Sequence, residues 1–128
     1  MVETGWIKLH RKMLNNPVVM KDADHLALWV YLLLKATRVV HNSIFDGKNV
    51  QLKPGQLIIG RRVISHDTGI HESKVQRILK TFESEHLFKQ QTSSKSRLIS
   101  ISKWSEYQIS EQVFEQQVNN KRTLYKKY

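Results

Sequence analysis

Two short amphipathic stretches joined by a glycine turn, Thr68-Gly69-Ile70, constrain this chain more than anything else in it. Arg61 to Thr68, with Val63 and Ile64 turned inward, predicts a short helix, and Gly69 stands where a left-handed residue ends one. Glu72 to Glu85 predicts a second helix directly after the turn. Its apolar residues Val75, Ile78, Leu79 and Phe82 share one face spanning about 100°. Ser73, Arg77, Lys80 and Ser84 lie opposite, flanked by Lys74 and Gln76. The two helices are spaced as in a helix-turn-helix.

A hairpin pattern comes after the second helix. Phe88 to Thr92 and Arg97 to Ile101 read as strands around a polar tip, Ser93-Ser94-Lys95-Ser96. Helix, turn, helix and hairpin in this order are the parts of a winged helix. Upstream, Ile7 to Asn15 predicts a short helix stopped by Asn15-Asn16-Pro17. Asp22 is a good N-cap for a helix over Ala23 to Thr37. That helix is apolar nearly all round, which predicts a central scaffold surrounded by protein. Ser43 to Leu52 predicts a hairpin closed by Asp46-Gly47, since Asp-Gly supplies the positive φ of a two-residue turn. Pro54-Gly55 turns again, and Gln56 to Ile59 is a short buried strand ending at Gly60.

The expected fold is therefore α+β and mainly helical: a winged helix-turn-helix with a β-hairpin wing and an N-terminal helical extension. It occupies residues 1–107, with Trp104 and Tyr107 as late aromatic anchors. From Gln108 the composition turns to Gln, Asn, Lys and Ser, which predicts a polar, mobile tail over 108–128. A chain of 128 residues is the size of one domain.

Charge narrows the partner class. The net charge is +10 and the pI near 10.0, so the surface attracts polyanions, nucleic acid before an anionic membrane. The excess is spread along the chain, so pattern must say where it acts. The outer face of the helix over Glu72 to Glu85 is the place. Arg can bond guanine O6 and N7 with two donors, Gln can pair with adenine N6 and N7, and Lys and Ser can reach phosphates or base edges. Glu72 and Glu83 lie toward the sides, leaving the outer face without an acid. Arg61 and Arg62 open the preceding helix, where a DNA backbone would pass, while Lys95 and Arg97 sit at the wing tip, with Lys89 nearby. Each of these cations, taken singly, also fits an ordinary solvated surface. The expected DNA-contacting set is Arg61, Arg62, Ser73, Lys74, Gln76, Arg77, Lys80, Lys95 and Arg97, and the expected partner is double-stranded DNA.

The stretches Gly5-Trp6-Ile7-Lys8-Leu9-His10-Arg11-Lys12, Leu28 to Ala36, and Leu52 to Arg61 point further. So do Thr68-Gly69-Ile70, Ser73-Lys74-Val75, Arg77-Ile78-Leu79-Lys80, and Trp104 with Tyr107. In this order they resemble the N-terminal winged-helix domain of DnaD-like replication-initiation proteins, common in phages and mobile elements of low-GC Gram-positive bacteria. The resemblance implies a role in replication initiation or primosome assembly, with DNA binding, self-association and contacts to other initiation proteins. Members often carry a second helical domain. Here a polar tail takes its place, so DNA docking is the part of that function expected of this chain. Two positions depart from the family pattern. His71 replaces the usual capping Ser or Thr, which predicts a weak start to the second helix, and His86 replaces a helix-ending Gly.

A homodimer or higher oligomer is expected through Trp6, Ile7 and Trp29. The alternatives are an assembly module that does not touch DNA and a transcription regulator on the same fold. An enzyme is not expected. Ser65-His66-Asp67 are consecutive and do not face one another on a helix. His71-Glu72 lacks a second histidine where Val75 stands, and Gly55 to Gly60 is followed by Arg61-Arg62 rather than Lys and a hydroxyl residue. No metal or cofactor is expected. The absence of cysteine, the lack of an apolar h-region at Met1 to Trp6, and an apolar run limited to Leu26 to Leu34 predict a cytoplasmic protein without a membrane span.

Overall fold

The computed structural model describes residues 5–109; of the tail expected over 108–128, all but Gln108 and Ile109 lies outside the described residues. The described chain is α+β, with three α-helices and two small antiparallel sheets. Helix α1 spans Ala23–Lys35, α2 Arg61–Thr68 and α3 Glu72–Ser84. Strands β1 (His41–Phe45) and β2 (Lys48–Leu52) form a separate hairpin. Strands β3 (Gln56–Ile59), β4 (Phe88–Thr92) and β5 (Arg97–Ile101) form a three-stranded sheet in the order β3-β5-β4.

Local chemistry sets most boundaries. Asp22 caps α1: its Oδ1 accepts from the His25 backbone N–H at 2.8 Å and from the His25 ring Nδ1 at 2.7 Å. The turn between β1 and β2 has φ of +52° at Asp46 and +73° at Gly47, the geometry an Asp-Gly hairpin turn demands. Gly69 ends α2 with φ +77°, and its N–H donates to Ser65 O at 2.8 Å. Gly55 is required twice over: its φ is +91°, and a Cβ there would stand 2.5 Å from Trp104 Cγ.

Three elements are shorter than the sequence predicts: α3 ends at Ser84, one residue early, and the other two are cut back by competition. Ile7 to Asn15 yields only a 3₁₀ turn, Arg11–Asn15, with no buried residue. The Gln108 amide pins the segment before that turn, accepting from Lys8 N at 2.9 Å and donating to Lys8 O at 2.7 Å. A short helix with no face to bury does not hold against such bonds. Helix α1 stops at Lys35 rather than Thr37 because Thr37 N donates to Gln56 O, and Gly55 N to Thr37 O, each at 2.9 Å. The chain leaving α1 is thus tied to the start of β3.

The core lies between the helices and one face of the three-stranded sheet. Leu28, Leu32, Ile64, Ile70, Val75, Ile78, Leu79 and Phe82 meet Leu57, Phe88, Ile99 and Ile101 there. Phe82 is its aromatic centre, edge-on to Trp29 at 5.6 Å, His25 at 6.0 Å and Phe88 at 6.3 Å between ring centroids. A second cluster joins Phe45 and Leu52 of the β1–β2 hairpin to Leu98, with Val50 and Ile58 beside it. Strand side chains alternate between faces, so the hairpin covers the sheet face turned away from the helices. Helix α1 is less enclosed than its composition predicts. Its buried line is His25, Leu28, Leu32 and Leu33, whereas Leu34 is 53% exposed.

Candidate nucleic-acid interface

The site is built on α3. Val75, Ile78, Leu79 and Phe82 are completely enclosed, which orients the helix and turns Ser73, Arg77 and Lys80 to solvent. Arg77 and Lys80 make no ion pair among the described residues, so both cations are available to an anionic partner. The start of the helix is firmer than its sequence predicts. His71 Nδ1 accepts from the Ser73 backbone N–H at 3.2 Å and lies 2.8 Å from Ser73 Oγ. The imidazole replaces the missing hydroxyl as the cap. The far end is a Schellman turn, with Leu87 N bonded to Phe82 O and His86 N to Glu83 O, and His86 takes the left-handed position at φ +62°.

The flanking residues are not equivalent to the outer ones. Lys74 Nζ is held by Asp24 at 2.7 Å and Asp22 at 3.3 Å. The Asp24 hydrogen bond, with help from Asp22 and against desolvation, raises the pKa of this ammonium. Lys74 thus fastens α3 to the start of α1. Gln76 Oε1 accepts from Arg97 Nη2 at 2.8 Å. Arg97 itself corrects a sequence expectation. It is not at the wing tip but opens β5, paired with Ile59 and Thr92, with only 8% of its surface exposed. Its face of the strand, shared with Ile99 and Ile101, looks toward the core, so the guanidinium goes in rather than out. It also donates to Gln90 Oε1 at 3.3 Å, and its Nε is buried without a hydrogen-bond partner. Burial, together with the nearby Arg61 charge, lowers its pKa, and Glu83 opposes that shift.

A second group of cations gathers where β3 runs into α2. The β4–β5 turn packs on this junction so closely that a Cβ on Gly60 would lie 2.8 Å from Lys95 O. One open groove is lined by Lys35, Arg61, Arg62 and Lys95 among other residues of β3, α2 and the β4–β5 turn. Arg61 and Arg62 approach Glu72 only at 3.7 and 3.6 Å, loose surface pairs that a phosphate can replace. Gly60 supplies no side-chain cap, so the first N–H groups of α2 keep their donors. Lys35 was not among the residues expected from sequence. Its place in the last turn of α1 was visible, but nothing in the sequence brings that end beside Arg61.

The residues expected to mediate self-association divide. Trp6 is 72% exposed, with Leu9, Leu14 and Met20 also open nearby in sequence. Ile7 and Trp29 are half-buried and packed on the chain's own core. The Ser65 hydroxyl donates to Ile70 O, while His66 and Asp67 lie side by side on an exposed edge. The Tyr31 hydroxyl donates to Asp67, tying α1 to α2. Among the described residues there is no group of His, Cys, Asp or Glu side chains placed to hold a metal. No described helix is long and apolar enough to cross a membrane. No protein-family model, curated protein or solved structure matches this chain.

Proposed function

We propose that this chain is a DNA-binding winged helix that docks duplex DNA on α3, acting in the cytoplasm as part of a DnaD-like replication-initiation protein. The order α1, β3, α2, α3, β4, β5, with β5 between its two partners, supports the winged-helix reading. The observation that carries the function is the acid-free outer face of α3, with Ser73, Arg77 and Lys80 exposed on a helix locked by its own core. Such a helix suits a major groove, and its donors suit guanine edges and phosphates. Arg61, Arg62, Lys35 and Lys95 then serve as backbone contacts that position the helix without reading sequence. The replication role rests on the sequence resemblance; a transcription regulator would use the same surface.

The test is fluorescence anisotropy with random duplexes at about 100 mM salt. Arg77→Ala and Lys80→Ala should each weaken binding at least about tenfold, with circular dichroism unchanged. Affinity should also fall steeply with added salt as counterions are released. Unchanged affinity in the double variant would show that α3 is not the docking face.

Exposed Trp6, Leu9, Leu14 and Met20 favour a second, compatible reading, in which copies of the chain associate through this apolar strap. Light scattering with and without duplex separates the two. Oligomers that leave DNA unbound favour assembly alone.

A further inference from the structure

We infer that buried Arg97 is a positioning residue that turns Gln76 into a donor-only reader, so that α3 selects guanine over adenine at the position Gln76 faces. The inference rests on the DNA-binding reading above and goes beyond it to specificity.

A glutamine that reads adenine uses both ends of its amide: the oxygen accepts from N6 and the nitrogen donates to N7. In this protein the oxygen is already engaged. Gln76 Oε1 accepts from Arg97 Nη2 at 2.8 Å. The assignment does not depend on which way the amide is drawn, because a guanidinium has donors only and can face nothing but the oxygen. The bond is charge-assisted and, since Arg97 is 8% exposed, shielded from water. Arg97 in turn is held by its second bond to Gln90 Oε1, and Gln90 Nε2 donates to Glu83 at 3.2 Å. The oxygen of Gln76 therefore points into the protein, and the NH₂ group is the end left for a partner.

The two exposed cations of the face have the same polarity. Arg77 and Lys80 only donate. The Ser73 hydroxyl spends its proton on His71 Nδ1 at 2.8 Å and keeps only lone pairs for a partner, and Lys74 is spent on Asp22 and Asp24. An array of donors matches guanine, whose major-groove edge offers two adjacent acceptors, O6 and N7. It mismatches adenine, which places a donor, N6, beside its single acceptor. Without Arg97, the Gln76 amide is free to turn and present its oxygen.

The experiment is selection from randomised duplexes with the full chain, comparing wild type, Gln76→Ala and Arg97→Met at matched low salt. Wild type should enrich guanine, and Gln76→Ala should lose that enrichment at one position only. Arg97→Met should shift the same position toward adenine by about tenfold, a change that mere loosening of the fold would not produce. Gln76→Lys, another donor-only side chain, should keep guanine there even when combined with Arg97→Met. Adenine at the Gln76-dependent position in wild type overturns the inference. So does an unchanged preference in a folded Arg97→Met variant. If Arg97→Met does not fold, Gln76→Ala decides alone: a profile identical to wild type overturns the inference. Binding without any base preference overturns it while leaving the DNA-binding reading intact, and no binding to any duplex overturns both.

Discussion

Two histidines bracket α3, and each occupies a position where another residue type is the usual choice. His71 succeeds because its ring nitrogen reaches the Ser73 N–H at 3.2 Å. A reading based on residue type expects hydroxyls and carboxylates at an N-cap, and misses an imidazole that the local backbone happens to aim correctly. His86 is different: it sits at φ +62° with a Cβ that this conformation disfavours. The strain is tolerated because the Schellman bonds and the Leu87 contact with the core hold the turn closed. His86→Gly should therefore stabilise the protein by about 1 kcal/mol, seen as a higher urea midpoint at unchanged slope. A midpoint that falls would mean the imidazole makes contacts worth more than the strain.

The elements are held together by a few polar latches. Asp22 and Asp24, at the start of α1, grip Lys74 on α3. Asp22 is held well below the usual carboxylate range, first by its side-chain bond to His25, then by the His25 backbone N–H, with Lys74 assisting and burial opposing. A lowered folded-state pKa means that the ionised carboxylate stabilises the fold above its ordinary value of 3.8, and that this contribution fades as pH drops below it. Lys74 works in the other sense: its contribution is full below 10.5 and fades as pH rises through its raised value. Asp22→Asn keeps a capping side chain but loses the charge. Its melting temperature should lie below wild type at neutral pH, and the gap should close as the pH falls through about 4 toward 2. A gap independent of pH would assign the latch to the cap alone. The Asp22 cap was legible in sequence, but its latch to Lys74 was not, since there Lys74 reads as a flank of the DNA face. The residues that retire it from that face are 50 and 52 positions away.

At the scale of the whole molecule, one side chain joins the layers. Phe82 of α3 touches Trp29 and His25 of α1 and Phe88 of β4. Truncating it opens a cavity that rigid helices and strands cannot fill. Phe82→Ala should cost about 3–5 kcal/mol, a large part of the 5–15 or so that holds a domain of this size. Urea unfolding followed by tryptophan fluorescence should show a midpoint far below wild type, or no folded baseline. A loss under about 1 kcal/mol would mean that the layers are held elsewhere.

Sequence alone determined most elements of this protein and the two-sided character of α3. The periodicity of Val75, Ile78, Leu79 and Phe82 separates core from outer face, and Asp46-Gly47 and Gly69 mark turns whose backbone needs those residue types. These are local facts, written within a few residues of one another. Tertiary structure decided which outer residues are available to a partner. Arg97 goes inward because its strand register places it on the helix-facing side, Lys74 is taken by the start of α1, and Gln76 has its oxygen engaged. Lys35 arrives at the second cation group only through packing. A side chain's type is a property of the chain, but its free hydrogen-bonding capacity depends on distant neighbours. The face that reads as six polar residues in sequence is, in the fold, four exposed side chains, one lysine held by carboxylates and one amide with a single open end.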